Sequence, residues 1–306
     1  MKRMLAVAVL AFGAGPGMAG LLGEGEVSRD IPFRVMDGKP MLPVTVAGLA
    51  GVVMFDIGTP SIVFLNRGAA DLPEGQEVGR GFAASGQEIV VQLHDAPEVT
   101  LAGQAMVLPP KVQSGDFSFA EGAFGTDFFG FLGLPAVQDH AVLLDYDRAV
   151  LSIFALDVDA GLPVPAPDPK DVIVEVGFLL FPEELPLTVG RVGEVAVQVS
   201  FDSGDSGTAY LTAATRARLV AAGLLVEGSD GQALLSGLTL GGALMEPTPV
   251  ALVEAGGPKD GRKTGQPDEL RLGAAFFAAT PTLWNFPARR VALLRPGAAF
   301  PESAAP

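Results

Sequence analysis

The chain has 306 residues, of which 49% are hydrophobic and 18% charged, with 39 glycines and 25 prolines. This length suits about two domains of ordinary size, the apolar share excludes general disorder, and the wealth of turn residues points to a mainly β chain. Having no cysteine excludes disulfides, thiolate metal sites and thiol nucleophiles, while 35 acidic against 20 basic residues (net −15) argue against binding nucleic acid.

Taken in chain order, Lys2 and Arg3 precede a short apolar stretch, Met4 to Ala14, and then Gly17-Met18-Ala19. This is the plan of a signal peptide over residues 1–19, cleaved after Ala19, and the stretch is short for a membrane span. Export to the periplasm or the medium is expected, with no membrane attachment afterwards. Removal of Lys2 and Arg3 leaves 18 basic against 35 acidic residues, a charge of −17.

Residues 24–156 are expected to form a first β lobe. Its apolar runs Val52-Val53-Met54-Phe55 and Ala141-Val142-Leu143-Leu144 lie between turn residues and read as buried strands. Residues 157–171 carry Pro163, Pro165, Pro167 and Pro169, an alternation that favours extended chain and predicts a linker. A second lobe is expected over 172–296. It contains the clearest helix, about Thr212 to Gly223, with a threonine N-cap and a glycine at its end. Ala255 to Pro267 reads as a surface loop, and 297–306 as a frayed tail.

The two halves repeat one another. Leu42-Pro43-Val44-Thr45-Val46 returns as Leu185-Pro186-Leu187-Thr188-Val189, each followed by a glycine turn and a strand ending in Phe-Asp-x-Gly. The first copy is Phe55-Asp56-Ile57-Gly58-Thr59 and the second Phe201-Asp202-Ser203-Gly204-Asp205. Leu65 and Leu211 follow their aspartates at the same distance. Further on, Phe124-Gly125-Thr126-Asp127-Phe128-Phe129 aligns with Leu272-Gly273-Ala274-Ala275-Phe276-Phe277, and Leu144-Asp145-Tyr146 with Trp284-Asn285-Phe286. That alignment requires eight extra residues in the first half. A duplicated domain is expected.

A carboxylate at the end of an apolar strand is costly unless it is hydrogen-bonded or paired. A glycine two residues later lets the chain turn sharply and brings amides to the carboxylate. If a pseudo-twofold axis relates the halves, Asp56 and Asp202 meet and share a proton. One carboxylate then takes a proton from water while the other polarises a carbonyl.

These residues resemble the aspartic protease clan, over about residues 30 to 295. Its members carry Asp-Thr/Ser-Gly in each of two lobes, followed later by an apolar pair and a glycine passing beneath the aspartate loop. The segments matching the latter are Ala123-Phe124-Gly125 and Arg271-Leu272-Gly273. The run Gly125 to Phe129 looks more like the retropepsin-like group of bacteria than like pepsin. The resemblance implies two acid-protease-like β-barrel lobes, a catalytic pair Asp56 and Asp202, and loop support from Gly58, Thr59, Ser203, Gly204, Asp205, Gly125 and Gly273. It also implies a flap hairpin, for which Gly81, Phe82 and Gly86 are candidates, and a monomer acting on peptide or protein substrates without cofactor or metal.

Three positions depart from the pattern. Ile57 stands where a hydroxyl residue would tie the two loops together, Asp205 where a small or hydroxyl residue is usual, and Arg271 where an apolar one is. A lobe-like exported protein that binds or scaffolds without turnover is the alternative. Gly204-Asp205-Ser206-Gly207 also matches the serine motif of chymotrypsin-like proteases, but neither His94 nor His140 has the context of a histidine base. No zinc, calcium or nucleotide motif stands in its required setting.

Overall fold

The computed structural model describes residues 21–23, 25–82, 87–156, 166–181, 185–205, 209–211, 213–228, 232–252 and 269–300. The expected signal peptide, most of the linker, the helix-capping Thr212 and the loop 255–267 lie outside them.

The described residues form two ten-stranded sheets and one six-stranded sheet. The first large sheet runs Gln76–Phe82, Glu88–Asp95, Lys111–Gly115, Val63–Asn66, Phe128–Gly133, Leu49–Asp56, Lys39–Val46, Val99–Leu101, Gln104–Ala105, with Arg34–Met36 also beside Lys39–Val46. The second repeats that order as Leu225–Glu227, Gln232–Leu235, Thr248–Leu252, Ala209–Leu211, Glu269–Leu272, Val195–Phe201, Leu185–Val192, Leu238–Leu240, Ala243–Leu244, with Leu179–Phe181 beside Leu185–Val192. The molecule is thus mainly β with two lobes of the same topology. Among the described residues no strand pairing closes either sheet on itself.

Alternation explains the strand Leu49–Asp56. Val53 and Phe55 face the large core with Leu42 and Leu65, whereas Val52 and Met54 face a second apolar layer with Met41, Ile89, Phe117 and Phe128. A strand buried on both faces reads as a continuous apolar run, and each fully buried large side chain contributes about 1.5–3 kcal/mol. Asp56 is the first polar residue at its end.

The six-stranded sheet joins the lobes. Its order is Ser28–Pro32, Val150–Phe154, Ala141–Asp145, Thr282–Asn285, Arg290–Leu294, Val172–Gly177, so each half contributes three strands. At its centre Leu143 pairs with Leu283, Val142 with Trp284 and Leu144 with Thr282. Leu143 therefore faces its own counterpart, and the pseudo-twofold axis passes through that pair. The flanking turns agree: Asp145 Oδ1 accepts from the Arg148 amide and Asn285 Oδ1 from the Ala288 amide, both at 3.1 Å. Ala149 and Arg289 take the same left-handed conformation, with φ of 52° and 55°.

Two expectations change here. The helix is Ala213–Ala221, slightly shorter than expected. Residues 297–300 are not frayed, because Ala298 is buried, the Ala299 amide donates to Asp171 Oδ2 at 3.2 Å, and Phe300 stacks on Phe154.

Candidate active site

Both aspartates stand where a sheet strand ends and the chain turns back. The Thr59 amide donates to the Asp56 carbonyl at 3.0 Å, and the Asp205 amide to the Asp202 carbonyl at 3.2 Å, so the two loops make the same turn. The two loops then meet across the axis. A Cβ placed on Gly58 would lie 2.7 Å from Asp202 Oδ1 and 3.0 Å from Asp56 Oδ1. The two carboxylate oxygens are therefore no more than about 6 Å apart. On the other side, a Cβ on Gly204 would lie 2.5 Å and 2.7 Å from the oxygens of Asp56. Each glycine is packed against the opposite lobe's aspartate, and a methyl group at either would displace it.

Asp56 is half-buried and held from its own loop. Its Oδ1 accepts from the Gly58 amide at 2.8 Å and its Oδ2 from the Thr59 hydroxyl at 2.7 Å. Such donors favour the ionised carboxylate. One hydroxyl ties the loops together: Ser203 Oγ accepts from the Ile57 amide at 3.1 Å and donates to the Phe55 carbonyl at 3.0 Å. Ile57, on the other side of the axis, is fully buried in the large core. The loop-to-loop tie made by a side chain hydroxyl is thus one-sided between these positions.

The glycine segment of the first lobe is not the expected one. The strand Phe128–Gly133 runs parallel to Leu49–Asp56 with Leu132 beside Phe55 and Gly133 beside Asp56. In the second lobe Leu272 stands beside Phe201, and the Asp202 amide donates to the Leu272 carbonyl. Gly133 is therefore the partner of Gly273. A Cβ on Gly133 would collide with the Thr59 and Ser61 carbonyls, so the loop closes only over glycine. Gly125 instead ends the short helix Glu121–Phe124, with φ of 90°. This correction also removes the eight-residue insertion, because Gly133 precedes Tyr146 by the same distance as Gly273 precedes Phe286.

Around Asp202 the second lobe carries a buried ionic network. Arg271 Nη1 lies 3.3 Å from Asp205 Oδ2, Nη2 2.9 Å from Glu269 Oε1, and Nε 4.0 Å from Asp202 Oδ2. Ser200 Oγ donates to Glu269 Oε1 at 2.8 Å. Burial opposes the charge on Arg271, yet Asp202, Glu269 and Asp205 together hold it firmly protonated, above its ordinary value. The matching positions of the first lobe are Met54, Phe128 and Phe131, by register with Ser200, Glu269 and Arg271. The same face of the two sheets is apolar in one lobe and ionic in the other.

Gly81 lies in the strand Gln76–Phe82, which pairs with Glu88–Asp95 as a hairpin. Phe82 ends that strand, while Gly86 is outside the described residues. The hairpin's Ile89 and Val91 pack in the layer that holds Met54. His94 is buried at the far end of the same hairpin, 2.5 Å from Ser114 Oγ.

No protein-family model matches this chain, and no curated protein matches it in sequence. Its fold is that of the two-lobed, pepsin-like aspartic proteinases. Among solved structures it is similar to the aspartic proteinase of Irpex lacteus, with 12% identity and a TM-score of 0.58 over 90% of this chain and 99% of that one. It is similar also to the basic 7S globulin of soybean, with 9% identity and a TM-score of 0.52 over 88% and 94%.

Proposed function

We propose that this protein is an exported aspartic-type endopeptidase in which Asp56 and Asp202 activate a water molecule against a peptide bond. The observation that carries the reading is the meeting of two Asp-x-Gly loops across a pseudo-twofold axis, each glycine packed on the other lobe's carboxylate. Two carboxylates this close hold one proton between them at working pH. The ionised group takes a proton from water as oxygen attacks the carbonyl carbon. The protonated group donates to the carbonyl oxygen, and a proton then passes to the leaving amine as the C–N bond breaks. The Gly58 amide and Thr59 hydroxyl hold Asp56 in position, and Ser203 fixes the spacing between the loops. The substrate is a peptide or protein, the chemistry calls on no cofactor, the monomer holds both carboxylates, and the two lobes descend from one duplicated unit.

A second reading follows from Ile57 and from the soybean globulin, whose name carries no enzymatic activity: a lobed exported protein that binds without cutting. Incubation of the protein with a mixed peptide library from acid to neutral pH, followed by mass spectrometry, separates the two. New termini that vanish in Asp56→Asn and Asp202→Asn support the peptidase. A folded wild type that cuts nothing at any pH favours the binding protein.

A further inference from the structure

The first lobe supports its aspartate with a hydroxyl, Thr59, three residues on. The second lobe has Asp205 at that place, a carboxylate buried to the same degree as Asp202 itself. An anion there repels the charge on Asp202, and in isolation it would oppose the ionisation that catalysis needs. The structure supplies a cation at the same spot. Arg271 reaches from the strand Glu269–Leu272, bonds Asp205 and Glu269, and sets Nε 4.0 Å from Asp202 Oδ2. The first lobe holds an apolar residue, Phe131, at the corresponding position.

We propose that Arg271 is a positioning residue of the site: it ties back Asp205 and provides Asp202 with the positive charge that keeps the aspartate pair singly ionised at acid pH. The inference rests on the peptidase reading for its consequence in catalysis, but not for its electrostatics. Among the described residues, the groups that face Arg271 are Asp202 and Asp205 from the aspartate loop, Glu269 from its own strand and Ser200 from the neighbouring one. Tyr210 stands opposite it in the register of the strand Ala209–Leu211. Reciprocity supports the assignment, since the charge of Asp202, together with those of Glu269 and Asp205, holds Arg271 protonated against its burial. An interaction that favours the charged arginine favours the charged aspartate equally.

The test uses opposite perturbations of one network. Arg271→Met removes the cation; Asp205→Asn with Glu269→Gln removes its competing anions and leaves the cation facing Asp202. Two readouts are taken over pH: the acid limb of kcat/KM on a peptide identified from the library, and the ¹³C carboxyl titration of the pair, assigned with Asp56→Asn and Asp202→Asn. Arg271→Met is expected to move both toward higher pH by about 1 unit or more, the scale of an opposite charge at this distance. The double variant is expected to move both toward lower pH, and Arg271→Lys to fall between wild type and Arg271→Met. A folded Arg271→Met protein that titrates like wild type overturns the proposal, as does movement of both perturbations in the same direction. Should Arg271→Met fail to fold, the double variant decides alone, and a titration that does not move downward overturns the proposal. Opposite carboxyl shifts in a protein that cuts no peptide would sink the peptidase reading and leave this one standing. Cleavage without those shifts would do the reverse.

Discussion

Ser203 links the two halves of the site through its side-chain hydroxyl. Its hydroxyl is fully buried, accepts from the Ile57 amide and donates to the Phe55 carbonyl, so Ser203→Ala removes both bonds at once. Each such bond contributes about 0.5–1.5 kcal/mol net, and a buried amide left without an acceptor costs about 1–3 kcal/mol. The substitution is therefore expected to destabilise by about 2–4 kcal/mol, because no water replaces the hydroxyl in a closed core. Ser203→Thr keeps the hydroxyl and is the control. Urea unfolding gives the difference from the shift in midpoint at constant slope, provided the lobes unfold together. Hydrogen exchange at the Ile57 amide reports the bond itself. Ser203→Ala within 0.5 kcal/mol of wild type, with the Ile57 amide equally protected, would refute the argument that this hydroxyl couples the loops.

Two further outcomes follow from the geometry. Gly204→Ala places a methyl group about 2.5–2.7 Å from the Asp56 oxygens, so the carboxylate must move; hydrolysis by a folded variant is expected to fall by at least about 100-fold, since small misplacements of reacting groups cost that much. Activity within a few-fold of wild type would show that the loop tolerates the shift. For His94, burial first and then the charges of Arg67 and Lys111 push the imidazole below its ordinary value, against an opposing bond from the Pro73 backbone. The unfolded chain then binds more protons than the folded one, so this stabilisation is present above about pH 6.5 and is lost as pH falls through the depressed folded value. Chemical denaturation at a series of pH values should show a shallower loss of stability below pH 6.5 for His94→Gln than for wild type; equal slopes would exclude this residue as the source.

Much of the molecule was legible because the chemistry of its strands is strict. A doubled Phe-Asp-x-Gly at the end of an apolar run has few uses, and the strands Leu49–Asp56 and Ala141–Asp145 lie where continuous apolar runs predict them. The glycine segment of the first lobe differs from the expected one for a physical reason. Gly125 with Phe128-Phe129 imitates Gly273 with Phe276-Phe277, yet the pairs divide differently: Phe128 fills the second apolar layer and only Phe129 the large core, whereas Phe276 and Phe277 both sit in the large core beside Phe201. A constant spacing from Gly133 to Tyr146 and from Gly273 to Phe286 was the signal that selects the true partner. Arg271 departs from the family pattern, but the sequence does not show what surrounds it. Glu269 and Arg271 alternate with Leu270 and Leu272, which places both on one face of the strand. That the face is buried, with Ser200 and Asp205 gathered on it, depends on strands distant in the chain.

The central claim is that Asp56 and Asp202 act as one unit. Cleavage of a single peptide by Asp56→Asn, by Asp202→Asn and by the double variant measures this directly. Groups that share one proton and one water are not additive, so each single variant should lose at least about 100-fold and the double variant no more than the worse of the two. A single variant that cuts at the wild-type rate, or losses that multiply in the double variant, would contradict the account.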